Sequence, residues 1–251
     1  LKMKQVEEKA TDKLKEIFEQ TEEQLLADGW IINGLAIYKG EGAWASGVGA
    51  VADGDGARAK GDDAHAHGDG TWASGKDAYA EGEGARAHGD GAVAIGDNTW
   101  AEGEGAEAHG DGAMAIGKGA WAYGKGAKAF GVGAVAKGDG ARAKGDGARA
   151  IGDGAEADGK DAYAKGKGAV AIGDNAWAIG DGAKSSGEDA TADGDDAWAN
   201  GDGAQAHGDG AKAIGEGAQA KGKDAWAICD GAVANGDGAR AIGDGARVTV
   251  L

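Results

Sequence analysis

The chain has 251 residues, including 53 Gly, no Pro and one Cys, and its formal net charge is −17. Collagen is excluded because its Gly recurs at every third position among abundant Pro, and a single Cys excludes a disulfide framework. We expect no nucleic acid partner, because nucleic-acid binding depends on neutralising phosphates with Lys and Arg. The chain contains no apolar run long enough for a transmembrane helix, so we also expect no membrane insertion.

Residues 1–28 have the pattern of an amphipathic helix. Apolar residues recur three and four positions apart, with Glu, Lys and Gln between them. A narrow apolar seam on a polar helix is typical of a coiled coil, and an isolated helix of this kind is marginally stable without a partner. We therefore predict that Val6, Leu14, Ile17 and Leu25 lie at a subunit interface. Packing of the helix on its own chain is the alternative.

Residues 29–41 are more hydrophobic. The dipeptide Asn33-Gly34 lies between the apolar runs Trp30-Ile31-Ile32 and Leu35-Ala36-Ile37-Tyr38. An Asn-Gly pair between apolar runs favours a tight turn. We predict a hydrophobic hairpin or cap that covers the end of the segment that follows.

Residues 42–251 form 30 heptads of the pattern Gly-Ala-x-Ala-x-Gly-x without insertion. Position seven is mostly Asp, Glu or Lys. A helix is excluded because Gly at two of seven positions would cost about 1 kcal/mol each. Alternation of Ala with variable residues is strand geometry, and uninterrupted repetition is typical of a solenoid. The prediction is an all-β, parallel β-solenoid with Gly-rich corners.

The size of one coil decides where the bulky residues lie. Two heptads give a flat coil, and positions three and five then face outward; a coil of three or four heptads would instead enclose them. We favour the flat coil. Trp44, Trp121 and Trp198 recur every eleven heptads, which we interpret as an apolar stripe along the rod. Too many large apolar groups would be exposed to water, so we predict a subunit interface formed by Val93, Ile95, Trp100, Ile116, Trp121, Val170, Ile172, Trp177, Trp198 and Trp226.

The segments Gly91-Ala92-Val93-Ala94-Ile95-Gly96 and Gly168-Ala169-Val170-Ala171-Ile172-Gly173 resemble the head repeats of trimeric autotransporter adhesins, the YadA-like family. The resemblance implies a left-handed parallel β-roll with two heptads per coil. It further implies three rolls packed through their Val and Ile faces, and a head that binds host matrix or other surfaces. The family's frequent Asn-Ser corners are mostly Gly-Ala or Asp-Ala here.

These observations predict a non-catalytic adhesive or display rod. We expect a homo-oligomer, with three chains favoured, at the cell surface or outside the cell, and an unknown surface receptor. A virus or phage fibre on the virion surface, or a self-polymerising extracellular filament, is the alternative. The final segment Arg247-Val248-Thr249-Val250-Leu251 departs from the repeat, and it is expected either to cap the stack or to add to the edge of another subunit.

No enzyme or cofactor site is predicted. The many Gly-x-Gly segments lack the strand-to-helix context of a dinucleotide site. His65, His67, His88, His109 and His207 occupy outward positions and are expected to be surface residues rather than a metal site. Calcium at the Asp-rich corners is the one cofactor alternative, since calcium prefers oxygen ligands; Lys at the same corner position favours solvated corners instead.

Overall fold

The computed structural model describes residues 22–27, 29–33 and 35–250. One short helix, α1 (Glu22–Ala27), precedes the sheets. Strand β1 (Ile31–Asn33) pairs antiparallel with β2 (Ala36–Lys39), so that Ile32 lies opposite Ile37. The remainder of the helix predicted over residues 1–28, and Gly34 of the predicted turn, lie outside the described residues.

From β2 onward every strand is three or four residues long, and the strands alternate between two sheets. The even-numbered strands, in the same sheet as β1, are β2 (Ala36–Lys39), β4 (Val51–Asp53), β6 (His65–His67), β8 (Tyr79–Glu81), β10 (Val93–Ile95), β12 (Glu107–His109), β14 (Trp121–Tyr123), β16 (Val135–Lys137), β18 (Arg149–Ile151), β20 (Tyr163–Lys165), β22 (Trp177–Ile179), β24 (Thr191–Asp193), β26 (Gln205–His207), β28 (Gln219–Lys221), β30 (Val233–Asn235) and β32 (Arg247–Thr249). The odd-numbered strands are β3 (Trp44–Ser46), β5 (Arg58–Lys60), β7 (Trp72–Ser74), β9 (Arg86–His88), β11 (Trp100–Glu102), β13 (Met114–Ile116), β15 (Lys128–Phe130), β17 (Arg142–Lys144), β19 (Glu156–Asp158), β21 (Val170–Ile172), β23 (Lys184–Ser186), β25 (Trp198–Asn200), β27 (Lys212–Ile214), β29 (Trp226–Ile228) and β31 (Arg240–Ile242).

The register confirms the flat coil of two heptads. Each strand pairs in parallel with the strand two further along the chain, as β16 does with β18, where Val135 lies opposite Arg149. The backbone N–H of Val135 donates to the carbonyl oxygen of Ala148 at 2.8 Å. The repeat region is therefore a parallel β-solenoid of about 15 turns. At a strand spacing of about 4.8 Å its length is roughly 70 Å.

The interior of the solenoid consists of alanine methyl groups. Ala at heptad positions two and four is buried from β3 to β31, as Ala134 and Ala136 illustrate. The polar exceptions are satisfied: the Thr99 hydroxyl donates to the carbonyl oxygen of Gly96, and the Ser185 hydroxyl donates to that of Ala190, each at 2.7 Å. Because the two walls meet through methyl groups, the larger side chains of the repeat lie outside.

The corners explain why the two glycines of each heptad differ. At position six, as in Gly131, φ is +127° and an added Cβ would lie 2.5 Å from the carbonyl oxygen of Gly145 in the next coil. At position one, as in Gly133, φ is +65° and nothing lies within 4 Å of the added atom. Position one can therefore hold residues that tolerate positive φ, such as Asp161 and Asn175, both with φ of 55°.

Candidate functional site

The outward side chains at heptad positions three and five form two opposite surfaces. We call the outward side chains of β4 to β32 in the even-numbered sheet the even face, and those of β3 to β31 in the odd-numbered sheet the odd face. The predicted interface residues divide between them. Val93, Ile95, Trp121 and Trp177 lie on the even face; Trp100, Ile116, Val170, Ile172, Trp198 and Trp226 lie on the odd face.

The predicted single apolar stripe is therefore wrong in its geometry. A spacing of eleven heptads is an odd number, so Trp44 and Trp198 lie on the odd face and Trp121 lies on the even face. Only an even number of heptads returns a residue to the same face of a coil that consists of two. The predicted interface residues are thus divided between opposite faces, and their place at a subunit interface stays a prediction.

The even face is largely apolar along its middle. Aromatic rings pack on each other there: Tyr163 and Trp177 on neighbouring strands have ring centroids 5.4 Å apart, and Trp121 lies 6.4 Å from Tyr123. Val135 lies between the two pairs, directly opposite Trp121 in register. Trp177 is 48% exposed, so this apolar surface is not covered within the described part of the chain.

Charge separates the two faces more sharply than hydrophobicity does. The even face carries five basic and four acidic residues, namely Lys137, Arg149, Lys165, Lys221 and Arg247 with Asp53, Glu81, Glu107 and Asp193. The odd face carries nine basic and three acidic residues, namely Arg58, Lys60, Arg86, Lys128, Arg142, Lys144, Lys184, Lys212 and Arg240 with Glu102, Glu156 and Asp158. The odd face is thus a basic surface on an acidic chain.

Trp and basic residues alternate along parts of the odd face, a pattern that we did not predict from the sequence. The guanidinium of Arg86 lies 5.9 Å from the ring centroid of Trp100. Trp226 has the Lys212 ammonium at 4.6 Å and the Arg240 guanidinium at 4.8 Å. In the sequence this pattern is visible as Trp residues that recur every four heptads. The spacing places them on one face when each coil consists of two heptads.

The first coils of the even face are covered by the segment that precedes the repeat. Leu25 of α1, Trp30 and Val51 form a buried cluster, with Ile37 packed against it. Leu25, which we predicted to lie at a subunit interface, is 8% exposed because it packs within its own chain. The other predicted helix residues, Val6, Leu14 and Ile17, lie outside the described residues.

Next to this cluster lies a group of titratable rings. His65 and His67 stack with ring centroids 6.4 Å apart, and Tyr79 lies 6.4 and 6.1 Å from them, respectively. Burial, and next the neighbouring His67, lower the pKa of His65 to about 4. Burial, and next the hydrogen bond that its hydroxyl donates to Glu81 at 2.7 Å, raise the pKa of Tyr79 well above its ordinary value. The His65 and Tyr79 side chains are therefore neutral at pH 7.

The Asp residues at the corners have a structural role that we did not predict. The Asp146 carboxylate accepts a hydrogen bond from the backbone N–H of Val132, in the preceding coil, at 2.8 Å. Asp139 and Asp153 are joined in the same way at 3.0 Å. The sequence interpretation of solvated corners was therefore incomplete, because one carboxylate oxygen binds the neighbouring coil. Across the described ranges, no group of three or more His, Cys, Asp or Glu side chains is arranged to hold a metal ion.

The final segment continues the repeat rather than folding across its end. Strand β32 pairs in parallel with β30, with Val248 opposite Ala234, and the Val250 N–H donates to the carbonyl oxygen of Asn235 at 2.8 Å. Val250 does not adopt the positive φ of the other residues at position six.

Comparison with known families agrees with this architecture. The family model described as the YadA head domain repeat matches residues 73–99, 87–106, 108–127, 164–183 and 185–204. No curated protein matches the chain. Among the helices of the described residues, none has the length and apolar character needed to cross a bilayer. Heads of this family belong to adhesin-like structural proteins, and the matched segments of the solenoid are similar to YadA head repeats.

Proposed function

We propose that the chain is the projecting body of a non-catalytic adhesive rod, displayed at a cell surface, that assembles as a homotrimer through its even face. The observation that carries this proposal is the apolar middle of the even face, where Trp177 is exposed and Val135 is half-buried without further cover in the described chain. Large exposed apolar patches on a soluble rod mark contacts with other molecules. The YadA-like head repeats support an adhesive role.

Charge supports the choice of the even face over the odd one. In a cyclic trimer each chain turns the same face toward the threefold axis. Three odd faces would bring together an excess of positive charge that like-charge repulsion opposes. The even face as a whole is nearly neutral, and Lys137, Arg149 and Lys165 lie among the apolar residues of its middle strands. Like-charge repulsion therefore opposes self-association less on the even face than on the odd face.

The position of α1 gives independent support. Leu25 packs at the N-terminal end of the even face, against Val51, so the chain enters the solenoid on this side. A coiled coil formed by the residues before α1 would hold three chains with the same side toward the axis. The even faces would then meet directly below it.

A self-polymerising filament is the second candidate. It would need the end of one solenoid to pair with the start of the next. The even-numbered sheet begins with β1, which pairs antiparallel with β2 and so covers the N-terminal edge of one of the two sheets. This is a common way to protect an exposed edge. We therefore favour a finite rod, whether it belongs to a cell or to a virus particle.

The test is the mass of the assembly in solution. We expect light scattering to give three times the 24.6-kDa mass of the chain, and negative-stain images to show rods of one length. Val135→Glu would place a charge in the centre of the even face and should dissociate the trimer. Val170→Glu, the same change at the same heptad position on the odd face, is the matched control and should leave the mass unchanged.

The opposite outcomes are distinct. A wild-type monomer excludes self-assembly, and growing polymers support the filament. Dissociation by Val170→Glu but not by Val135→Glu would assign assembly to the odd face. Circular dichroism of both variants shows whether the solenoid is still folded.

A further inference from the structure

The odd face begins with a regular ladder of aromatic and basic side chains. Position three of β3, β5, β7, β9 and β11 is occupied by Trp44, Arg58, Trp72, Arg86 and Trp100, which lie opposite one another in register. Successive Trp rings are therefore two strand spacings apart, about 9.6 Å. An Arg side chain lies between each pair of rings. We call these five residues the Trp–Arg ladder.

The ladder forms an open groove. A cavity of about 210 Å³ is lined by Trp72, Arg86 and Trp100, with Ser74, His88 and Glu102 along one side. Trp72 is 44% exposed and Trp100 is 37% exposed, so a ligand can reach both rings. The Arg86 guanidinium lies 5.9 Å from the Trp100 ring centroid. This cation–π contact fixes the two side chains that line the groove relative to each other.

We propose that the Trp–Arg ladder binds an extended acidic polysaccharide in which one sugar of each disaccharide carries a carboxylate. This proposal rests on the proposed function, because assembly through the even face leaves the odd face free. An exposed indole offers a flat apolar surface for the face of a sugar ring, with its polar N–H at the edge. Arg binds a carboxylate through two parallel hydrogen bonds.

The spacing of the ladder selects this class of ligand. In an extended chain one sugar ring is about as long as one strand spacing of about 4.8 Å. The length of a disaccharide therefore matches the distance from one Trp to the next along the ladder, with one Arg between them. Each disaccharide would then stack one sugar on Trp and direct one carboxylate to Arg. Ser46 and Ser74, beside Trp44 and Trp72 on the same strands, supply hydroxyls that can donate to or accept from the sugar.

Other occupants fit the ladder less well. A single-stranded nucleic acid has a charge on every unit, whereas position three of the ladder supplies one cation for every two coils. A second copy of this chain would have to bring another basic face against this one, which like charges oppose. A polymer with one charge for every two sugars matches one cation for every two coils.

The test uses the full chain and a decasaccharide of alternating glucuronate and N-acetylglucosamine, titrated in a calorimeter at low and at physiological salt. We expect saturable binding to the wild type that weakens as salt rises. Arg86→Gln should weaken binding at least fivefold, and Trp72→Ala about tenfold. The matched control is Arg142→Gln, the same change at the same heptad position of the odd face, where the neighbours in register are Lys128 and Glu156 instead of Trp residues. It should leave binding unchanged.

Two further ligands and one mass measurement complete the test. A neutral N-acetylglucosamine oligomer should bind at least tenfold more weakly. The proposal is overturned by no binding of the decasaccharide, by equal binding to Arg86→Gln, or by tighter binding of oligothymidylate. It is also overturned if Trp72→Ala dissociates the assembly, since the ladder would then be a contact between copies. Loss of binding in an intact trimer contradicts only this inference, whereas binding by a monomer contradicts only the proposed assembly.

Discussion

Gly131 faces the carbonyl oxygen of Gly145, one coil further along, so closely that an added Cβ would lie 2.5 Å from it. The same relationship recurs at position six of nearly every heptad. This contact explains why position six is almost always Gly, whereas position one is Asp or Asn in several heptads. The stacking of coils, rather than the turn alone, imposes the requirement.

The first prediction compares Gly131→Ala with Gly133→Ala. The change at 131 forces two coils apart and adds backbone strain, and should cost about 3 kcal/mol or more. The change at 133 adds only the left-handed strain of a non-glycine residue, about 1 kcal/mol, because nothing lies within 4 Å of the new atom. Thermal melts followed by circular dichroism measure the difference. Equal losses would show that strain alone, and not coil stacking, sets the cost.

The corner hydrogen bond of Asp146 gives the second prediction. Asp146→Ala removes the acceptor of the Val132 N–H and should lower the free energy of unfolding by about 1 kcal/mol, a modest value because the bond is exposed. Asp146→Asn retains an acceptor oxygen at the same reach and should recover most of this loss. If Asn and Ala behave alike in thermal melts, charge rather than the hydrogen bond is responsible.

Much of the fold was predictable because it depends on local pattern. Ala alternates with variable residues within each strand, as in Ala134-Val135-Ala136, so the sequence predicts which side chains enter a thin interior. The turn glycines predict the corners in the same way. These features need only the strand period of two and the positive φ that Gly allows.

The surfaces were less predictable because they depend on the size of a coil. In a coil of two heptads, Trp44 and Trp121 share a face only if an even number of heptads separates them. The sequence alone was also compatible with coils of three or four heptads, for which the assignment to faces differs. The acceptor role of Asp146 likewise depends on which residue lies one coil away. The burial of Leu25 depends on a contact with Val51, which no periodicity of the helix could indicate.

The third prediction concerns the pH dependence of stability. His65 has a folded pKa of about 4 and an ordinary value of 6.5, so the unfolded chain binds more protons between these pH values. Stability should therefore rise with pH from about 4 to 6.5, by about 2 kcal/mol after allowance for partial exposure. His67 adds to the lowering of the pKa, and Asp63 and Asp77 oppose it.

The measurement is the melting temperature between about pH 4 and pH 8, for the wild type and for His65→Gln. Between about pH 4 and pH 6.5, the melting temperature of the variant should rise less steeply with pH than that of the wild type. His207→Gln is the control, since His207 lies on the same face far from this group of rings. A slope unchanged by His65→Gln would assign the pH dependence to other groups.

The fourth prediction concerns calcium at the acidic corners. We propose that these carboxylates join coils rather than hold ions, because residues such as Asp153 already accept a backbone hydrogen bond. Neither a chelator nor millimolar calcium should change the melting temperature. An ion present at about 100 times its Kd would add about 2.7 kcal/mol to stability, which thermal melts detect readily. A clear rise with calcium but not with magnesium would contradict the proposal.

The final prediction concerns Cys229, which occupies position six with φ of 90°. Its Cβ lies where other heptads have none, and the coil that contains Gly243 stacks directly on it. The bond from the Gly243 N–H to the carbonyl oxygen of Ile228 is 3.1 Å, against 2.8 Å for the Cys229 N–H to that of Ile214. Cys229→Gly should therefore stabilise the last coils by about 1 kcal/mol, seen as slower hydrogen exchange of β29 and β31. Cys229→Ser keeps the Cβ and should give no gain; an equal gain would mean that the sulfur, and not the backbone conformation, causes the strain.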